Sequence, residues 1–448
     1  MILHAATALL PDGWARDVRI TIEGGRIASI SAGVAPEGVA LGCLLPAPVN
    51  LHSHTFQRAM AGLTEARTAG QDSFWTWRAL MYRFLERLSP EDVQAIAAQA
   101  MVEMAEAGFS AVCEFHYLHH PVSGGTYADP AEMSARIAEA ARDTGLGLTH
   151  LPVIYEQGGV DGRALAGGQL RFGSSPEVYA AVLDGAGRAL TGMPDAVLGV
   201  APHSLRAVSR GTLDRVAAMT TGPVHIHIAE QVAEVAEVQA AWGARPVDWA
   251  VANLPLDARW CMIHATQMTP AETAALARTG AVAGLCPITE ANLGDGIFDA
   301  PGWMAASGAF GAGTDSNVRI SLAEELRVLE YSQRLNLKAR AVMADHRSTG
   351  RLLWEEAAKG GAQAAGRASG RIEAGQWADL LALDTEDLRL EGLKGDQLLD
   401  AFLFAGRDGL VTDLWSAGRH IVRDGEHIAR DTIAARFRAT MRRLREAL

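Results

Sequence analysis

The sequence predicts an α/β protein, a distorted (β/α)8 TIM barrel with a small β-sandwich accessory domain formed by both chain ends. Three observations carry that expectation. Eight short apolar runs alternate with helical stretches, the pattern of buried parallel strands joined by crossover helices. Four of those runs finish in His or Asp, and working groups in such barrels stand at the carboxyl ends of strands. Short extended segments with turn glycines bracket the whole.

Residues 1–43 form the N-terminal part of the accessory unit. The stretch 18–22 alternates, Gly24-Gly25 marks a turn, and 26–30 resumes the extended pattern. The eight runs follow at 44–51, 110–115, 146–154, 196–201, 224–229, 260–265, 281–287 and 309–314. Between them, Ser89-Pro90-Glu91-Asp92 is an N-cap with proline at the first helical position, and that helix runs toward Gly108. Asp129-Pro130 opens another that stops at Gly145. A doubly wound open sheet produces the same alternation, so closure rests on the count of eight and on where the polar residues fall.

The barrel is expected over 44–365. From 366 to 448 the β texture returns at 378–383 and 411–422, and a terminal amphipathic helix spans 428–448. A barrel brings its ends close enough for the two outer segments to share one accessory domain.

A chain of 448 residues fits about three domains of ~150 residues, or one large barrel with an accessory unit. With 49% hydrophobic and 21% charged residues it can bury a sizeable core and is no disordered tail. The net charge is -12 and the basic residues are scattered, which disfavours nucleic acid and anionic membrane as partners and favours a small molecule. Cys43, Cys113, Cys261 and Cys286 lie far apart and read as reduced thiols of a cytoplasmic protein. Met1-Ile2-Leu3-His4 has no basic leader region, and no run approaches the ~20 apolar residues of a membrane span. Folds of this kind often pair, so a homodimer is expected.

The strongest chemical signal is Asn50-Leu51-His52-Ser53-His54 at the end of the first run, since His-x-His on a strand turns both imidazoles to one face. Taken alone it has roughly even odds of binding metal. Its company is His225-Ile226-His227-Ile228-Ala229-Glu230 at the fifth run, His264 at the sixth, and Gly313-Thr314-Asp315-Ser316 at the eighth. Packing does not require that pattern.

Taken together, the N-terminal β segment, the ordered His-x-His, His, His and Asp, and the return to β structure at Gly375-Gln376-Trp377-Ala378-Asp379 resemble the amidohydrolase superfamily over nearly the whole chain. The resemblance implies that His52, His54, His227 and Asp315 hold one divalent ion, zinc first and iron as the alternative. His225 competes with His227 because they share a strand face. His227 is preferred for its His-x-x-Glu spacing to Glu230, and the plain reading of His225 is a core histidine. The carboxylated lysine that bridges two metals in many relatives has no counterpart, since no lysine precedes Lys338. One metal is therefore expected, generating a hydroxide near neutral pH, with Glu230, His264 and Asp315 as catalytic residues sharing the proton transfers in roles the resemblance leaves interchangeable.

Further segments resemble the formimidoylglutamate deiminase family: His54-Thr55-Phe56-Gln57-Arg58, Asp72-Ser73-Phe74-Trp75-Thr76-Trp77-Arg78, Glu114-Phe115-His116-Tyr117-Leu118-His119-His120 and Ala201-Pro202-His203-Ser204-Leu205-Arg206. That resemblance implies a dianionic substrate, N-formimino-L-glutamate, attacked by metal hydroxide at its formimino carbon. Arg78 and Arg206 then clamp carboxylates, and Gln57, Tyr117 and His203 add polar contacts. The bland readings are a surface arginine for Arg78, a packed rim residue for Tyr117, and an unspecific lid for Phe74, Trp75 and Trp77. Pro46-Ala47-Pro48 departs from the Pro-Gly common before the metal motif and touches no ligand. Two other functions stay open: a related deaminase acting on a guanine-like, cytosine-like or other aminated heterocycle, and a scaffold that has lost the reaction.

Overall fold

The fold is known from a computed structural model that describes residues 1–65, 74–407 and 409–446, for 74–79 the backbone alone. Eight strands of the barrel follow one another along the chain: Val49–Ser53, Ala111–His116, Gly147–Ile154, the pair Val197–Leu198 and Ala201–Pro202, then Val224–Ile228, Trp260–His264, Val282–Leu285 and Ala309–Ala312. Neighbours pair in parallel within each half. Between the halves the described residues show isolated parallel bridges in place of a ladder, Ser53 to Asp315 on one side and Val200 to Val224 and Ser204 to His227 on the other. The closed alternation excludes the open doubly wound sheet, and the two thin seams are the distortion.

The first apolar run is two strands, not one. Residues Val39–Pro46 belong to the accessory sheet, and the barrel starts afresh at Val49. The reason lies in Pro46 and Pro48, which have no N–H for a ladder, while the N–H of Ala47 between them donates to the Asp379 carbonyl. The fourth run is likewise broken into two-residue pieces.

The accessory sheet has eight strands. Four come from the N-terminal side, Ile2–Leu10, Gly13–Glu23, Arg26–Ser31 and Val39–Pro46. Four come from the C-terminal side, Leu380–Leu383, Val411–Ser416, Arg419–Arg423 and Glu426–His427. The ends meet where Leu380–Leu383 runs antiparallel to Val39–Pro46. The sheet folds over so that Arg26 bridges Trp377, enclosing a core that includes Val18, Ile20, Leu380 and Trp415. Gly24 and Gly25 both adopt positive φ, +55° and +80°, which their tight turn requires. Ser89 caps the helix Pro90–Glu106 with a full capping box, whereas the helix after Asp129-Pro130 starts later than its proline suggests, at Glu132–Thr144. A helix at 396–404 that the β texture did not announce lies between the strands of the C-terminal half, and the last described element is the helix Arg430–Glu446.

A buried ion cluster ties the accessory sheet to the underside of the barrel. Arg367 donates to both carboxylate oxygens of Asp379, at 2.6 and 2.9 Å, and to Asp195 at 3.0 Å; Arg419 meets Asp195 from the other side at 2.7 Å. Among the described residues, no helix is long and apolar enough to cross a membrane.

Candidate metal centre and substrate pocket

The metal motif sits on an irregular strand. Val49 and Asn50 pair with Ala111 and Val112, but Ser53 pairs with Glu114, so one extra residue is inserted into the first strand. A bulge of this kind re-aims side chains; His52 lies within it and His54 just beyond it. The eighth strand approaches closely because Gly313 has no side chain: a Cβ there would lie 2.8 Å from the backbone N and O of His52.

Four predicted residues meet at this end of the barrel. The Nε2 atoms of His52 and His227 are 3.1 Å apart. Asp315 Oδ1 lies 3.4 Å from His52 Nε2 and 3.2 Å from His54 Nε2. His264 Nε2 is 3.9 Å from Asp315 Oδ2 and also 3.9 Å from Glu230 Oε1. One donor atom from each of His52, His227, His264 and Asp315 falls within 4.8 Å of the others, so His264 stands among the possible ligands as well as beside the carboxylates. His54 joins the group through Asp315, with its Nδ1 turned to the Phe115 carbonyl at 2.8 Å. The other predicted alternative, His225, is a core residue: its Nε2 lies 2.8 Å from the Ala364 carbonyl.

The electrostatics suit a cation. Burial lowers the pKa of His52 and His227 well below 6.5, and the neighbouring imidazoles lower both further. Burial likewise lowers that of His54, against the pull of Asp315. Neutral imidazoles offer lone pairs, and two of them aimed at each other beside a carboxylate make a donor set of the kind that divalent ions take. Burial also opposes charge on His264, but Glu230, the hydrogen bond to Glu290 and Asp315 outweigh it and raise its pKa to about 10. Burial raises Glu230 above the usual carboxylate range.

Sequence reasoning missed two carboxylates that hold these groups. Glu290 Oε1 lies 3.2 Å from His264 Nδ1 and accepts the Cys286 N–H at 2.9 Å. It stands in the short helix Pro287–Leu293 just past the seventh strand, and an acidic residue at that strand end was the available signal. Glu234 accepts the backbone N–H groups of Ala229 and Glu230 at 3.3 and 3.0 Å, fixing a turn in which Ala229 has φ +49°. Its place four residues beyond Glu230 gave no hint of that.

Gln57, Tyr117, His203 and Arg206 line one cleft of about 610 Å³ that reaches Glu230 and Asp315. Gln57 Nε2 donates to the Tyr117 hydroxyl at 2.6 Å, leaving Gln57 Oε1 buried without a partner. Tyr117 is therefore buried in the pocket, and burial raises its pKa well above 10. The Nε of Arg206 is also buried without a partner. Burial disfavours the Arg206 charge, yet Glu234 and Glu230 more than restore it. The cleft thus contains a charged guanidinium with a free donor. By contrast His119 and His120 turn away, to the Val153 carbonyl and the Ser174 hydroxyl. The backbone of Arg78 lies in the helix Phe74–Leu85, but its side chain, like those of Phe74, Trp75 and Trp77, is outside the described residues, as are Asp72 and Ser73 altogether.

Residues 43–421 match the Amidohydrolase family, and residues 1–39 match the family described as Formimidoylglutamate deiminase HutF, N-terminal domain. The chain is 49% identical over 442 residues to the formimidoylglutamate deiminase of Pseudomonas aeruginosa, covering 97% of each. A crystal structure of an amidohydrolase from Brucella melitensis is 48% identical, with a TM-score of 0.95 over 99% of both chains. An adenosine deaminase from Xanthomonas campestris with bound zinc shares the fold at 22% identity, with a TM-score of 0.83 over 99% of this chain and 98% of that one.

Proposed function

The chain belongs to the amidohydrolase family, and from that membership we propose that it hydrolyses N-formimino-L-glutamate to N-formyl-L-glutamate and ammonia, a C–N bond hydrolysis of histidine degradation. The end-to-end likeness to the Pseudomonas aeruginosa deiminase carries this reading. The family uses a divalent metal, and the buried His and Asp cluster fits one. We take the ion to be a single zinc held by His52, His54, His227 and Asp315. When bound, it supplies Lewis acidity that makes water a nucleophile at neutral pH.

The chain's own residues do the rest. Arg206 binds a substrate carboxylate through its free Nε and so orients the glutamate skeleton, with the formimino end toward the cluster. Gln57 and Tyr117 offer further polar contacts along the cleft. Asp315 takes a proton from the attacking water at a carboxylate oxygen. Glu230, protonated more readily than an exposed carboxyl, delivers a proton to the terminal nitrogen. The C–O bond forms as the C=N π bond opens, giving a tetrahedral adduct at the formimino carbon. The second water proton then leaves the adduct's hydroxyl by way of Asp315 and reaches the same nitrogen, the C–N bond breaks, the nitrogen departs as ammonia, and the oxygen remains as the formyl carbonyl. His264, oriented by Glu290, donates from Nε2 toward the developing oxygen charge.

A dianionic substrate also fits the cleft better than an aminated heterocycle, because a flat neutral ring leaves the Arg206 donor unpaired. The test is ammonia release by the zinc-loaded chain with N-formimino-L-glutamate set against guanine and a methylthioadenosine. Turnover of the first alone is expected; turnover of a heterocycle without the first overturns the reading.

A further inference from the structure

Between the first and eighth strands lies a buried polar network that the reaction above does not use. Asn50 Oδ1 accepts the N–H of Thr314 at 3.0 Å and that of His52 at 3.4 Å, and Asn50 Nδ2 donates to Thr314 Oγ1 at 2.7 Å. Thr314 Oγ1 donates in turn to Asn317 Oδ1 at 2.6 Å. Asn317 Nδ2 then lies within 3.0 to 3.2 Å of the Asp315 carbonyl, the Ser53 hydroxyl and the His54 carbonyl. All three side chains are fully buried, and none of their polar atoms is left unpartnered.

The position of this network is what gives it meaning. The first and eighth strands share a single bridge, Ser53 to Asp315, and no longer ladder. Yet the first carries His52 and His54, and the eighth runs into Asp315. Three backbone hydrogen bonds cross the seam, from the Thr314 and Asp315 N–H groups to the His52 carbonyl and from the His54 N–H to the Asp315 carbonyl, at 2.9 to 3.0 Å, and the side chains that cross beside them hold those backbone groups in register. The Asn50, Thr314 and Asn317 side chains cross it, hydrogen bonding to the backbone of His52, His54 and Asp315 themselves. Asn317 holds φ +54°, a conformation Asn tolerates better than most residues, so that its amide faces three acceptors at once. None of the three lines the cleft.

We propose that Asn317, with Asn50 and Thr314, is a positioning residue that sets the spacing of His52 and His54 against Asp315 and thereby the grip on the divalent ion. The inference rests on the ligand set proposed above. Groups that orient metal ligands typically change metal affinity 10- to 100-fold when removed.

The test uses the full chain loaded with zinc or cobalt(II). Asn317→Gly removes the amide while relieving the positive φ, so backbone strain cannot explain a defect. The expected results are transfer of zinc to an excess of a chromogenic chelator about tenfold faster or more than in the wild type, and altered visible bands in the cobalt-loaded protein. A loss of packing alone lowers the melting temperature without changing the cobalt spectrum. Asn317→Asp, close in size but lacking both N–H donors, is expected to behave in the same way and serves if the glycine variant does not fold. If the wild type holds one ion and either variant matches its release rate within twofold with an unchanged spectrum, the positioning role is wrong and the ligand assignment stands. If the wild type holds no ion, both fall.

Discussion

His52 Nε2 stands 3.1 Å from His227 Nε2, across a sequence separation of 175 residues. Burial keeps both rings neutral. Two neutral imidazoles with nitrogens facing at that distance can share a proton in an N–H···N hydrogen bond or turn both lone pairs to a cation, and Asp315 at 3.4 Å adds a negative charge to the same point. The carboxylate favours the cation, and the donor atoms of His52, His227, His264 and Asp315 lie close enough together to hold one.

Replacing Glu230 by Gln removes the acid while preserving size. The kcat for N-formimino-L-glutamate is expected to fall roughly 10²- to 10⁴-fold with KM little changed, the signature of a lost proton-transfer group. Steady-state ammonia release at saturating substrate measures it. A variant retaining more than a tenth of wild-type kcat removes Glu230 from the mechanism.

Arg206→Ala removes the free cationic donor of the cleft. A buried charge-paired contact costs about 2–4 kcal/mol when truncated, or roughly 30- to 1000-fold in kcat/KM. The loss is expected to be much smaller for a formimino substrate lacking one carboxylate. Equal losses for both substrates contradict a carboxylate role.

Much of this was legible in the sequence because strand periodicity and ligand chemistry speak through local patterns. His52-Ser53-His54 announces itself in three residues, and His227 and Asp315 end apolar runs. The split of the first run at Pro46-Ala47-Pro48 was less visible, since apolar residues continue on both sides and only the tertiary placement of Ala47 against Asp379 distinguishes the two strands. Glu234 and Asn317 were harder still. Their roles are hydrogen bonds to backbone groups, which any acidic or amide residue at a helix start or turn supplies, so only the folded geometry separates them from ordinary caps.

Stability toward acid provides a further check through His225. Its folded pKa is lowered from 6.5 to about 4, chiefly by burial. The unfolded chain therefore takes up this proton first as pH falls. The contribution is complete above about pH 6.5 and is lost as pH drops toward 4, an effect of about 3 kcal/mol. Denaturant unfolding of the wild type and His225→Gln at pH 7 and pH 4.5 is expected to show a smaller acid loss in the variant. Parallel declines rule out this linkage.

The Asp379→Ala change isolates the tie between sheet and barrel. It leaves the buried Arg367 with Asp195 alone and strips the Ala417 N–H of its acceptor. A destabilisation of about 3–5 kcal/mol is expected in equilibrium unfolding, with kcat per folded molecule near wild type because the ligand-bearing strand ends are untouched. A loss below 1 kcal/mol contradicts the structural weight given to this cluster.

The most direct measurement is anomalous X-ray scattering at the zinc edge from crystals of the purified chain. One strong peak per molecule, coordinated by His52, His54, His227 and Asp315, is the predicted result. A peak bound by other residues, or none in protein that still releases ammonia from N-formimino-L-glutamate, contradicts the account.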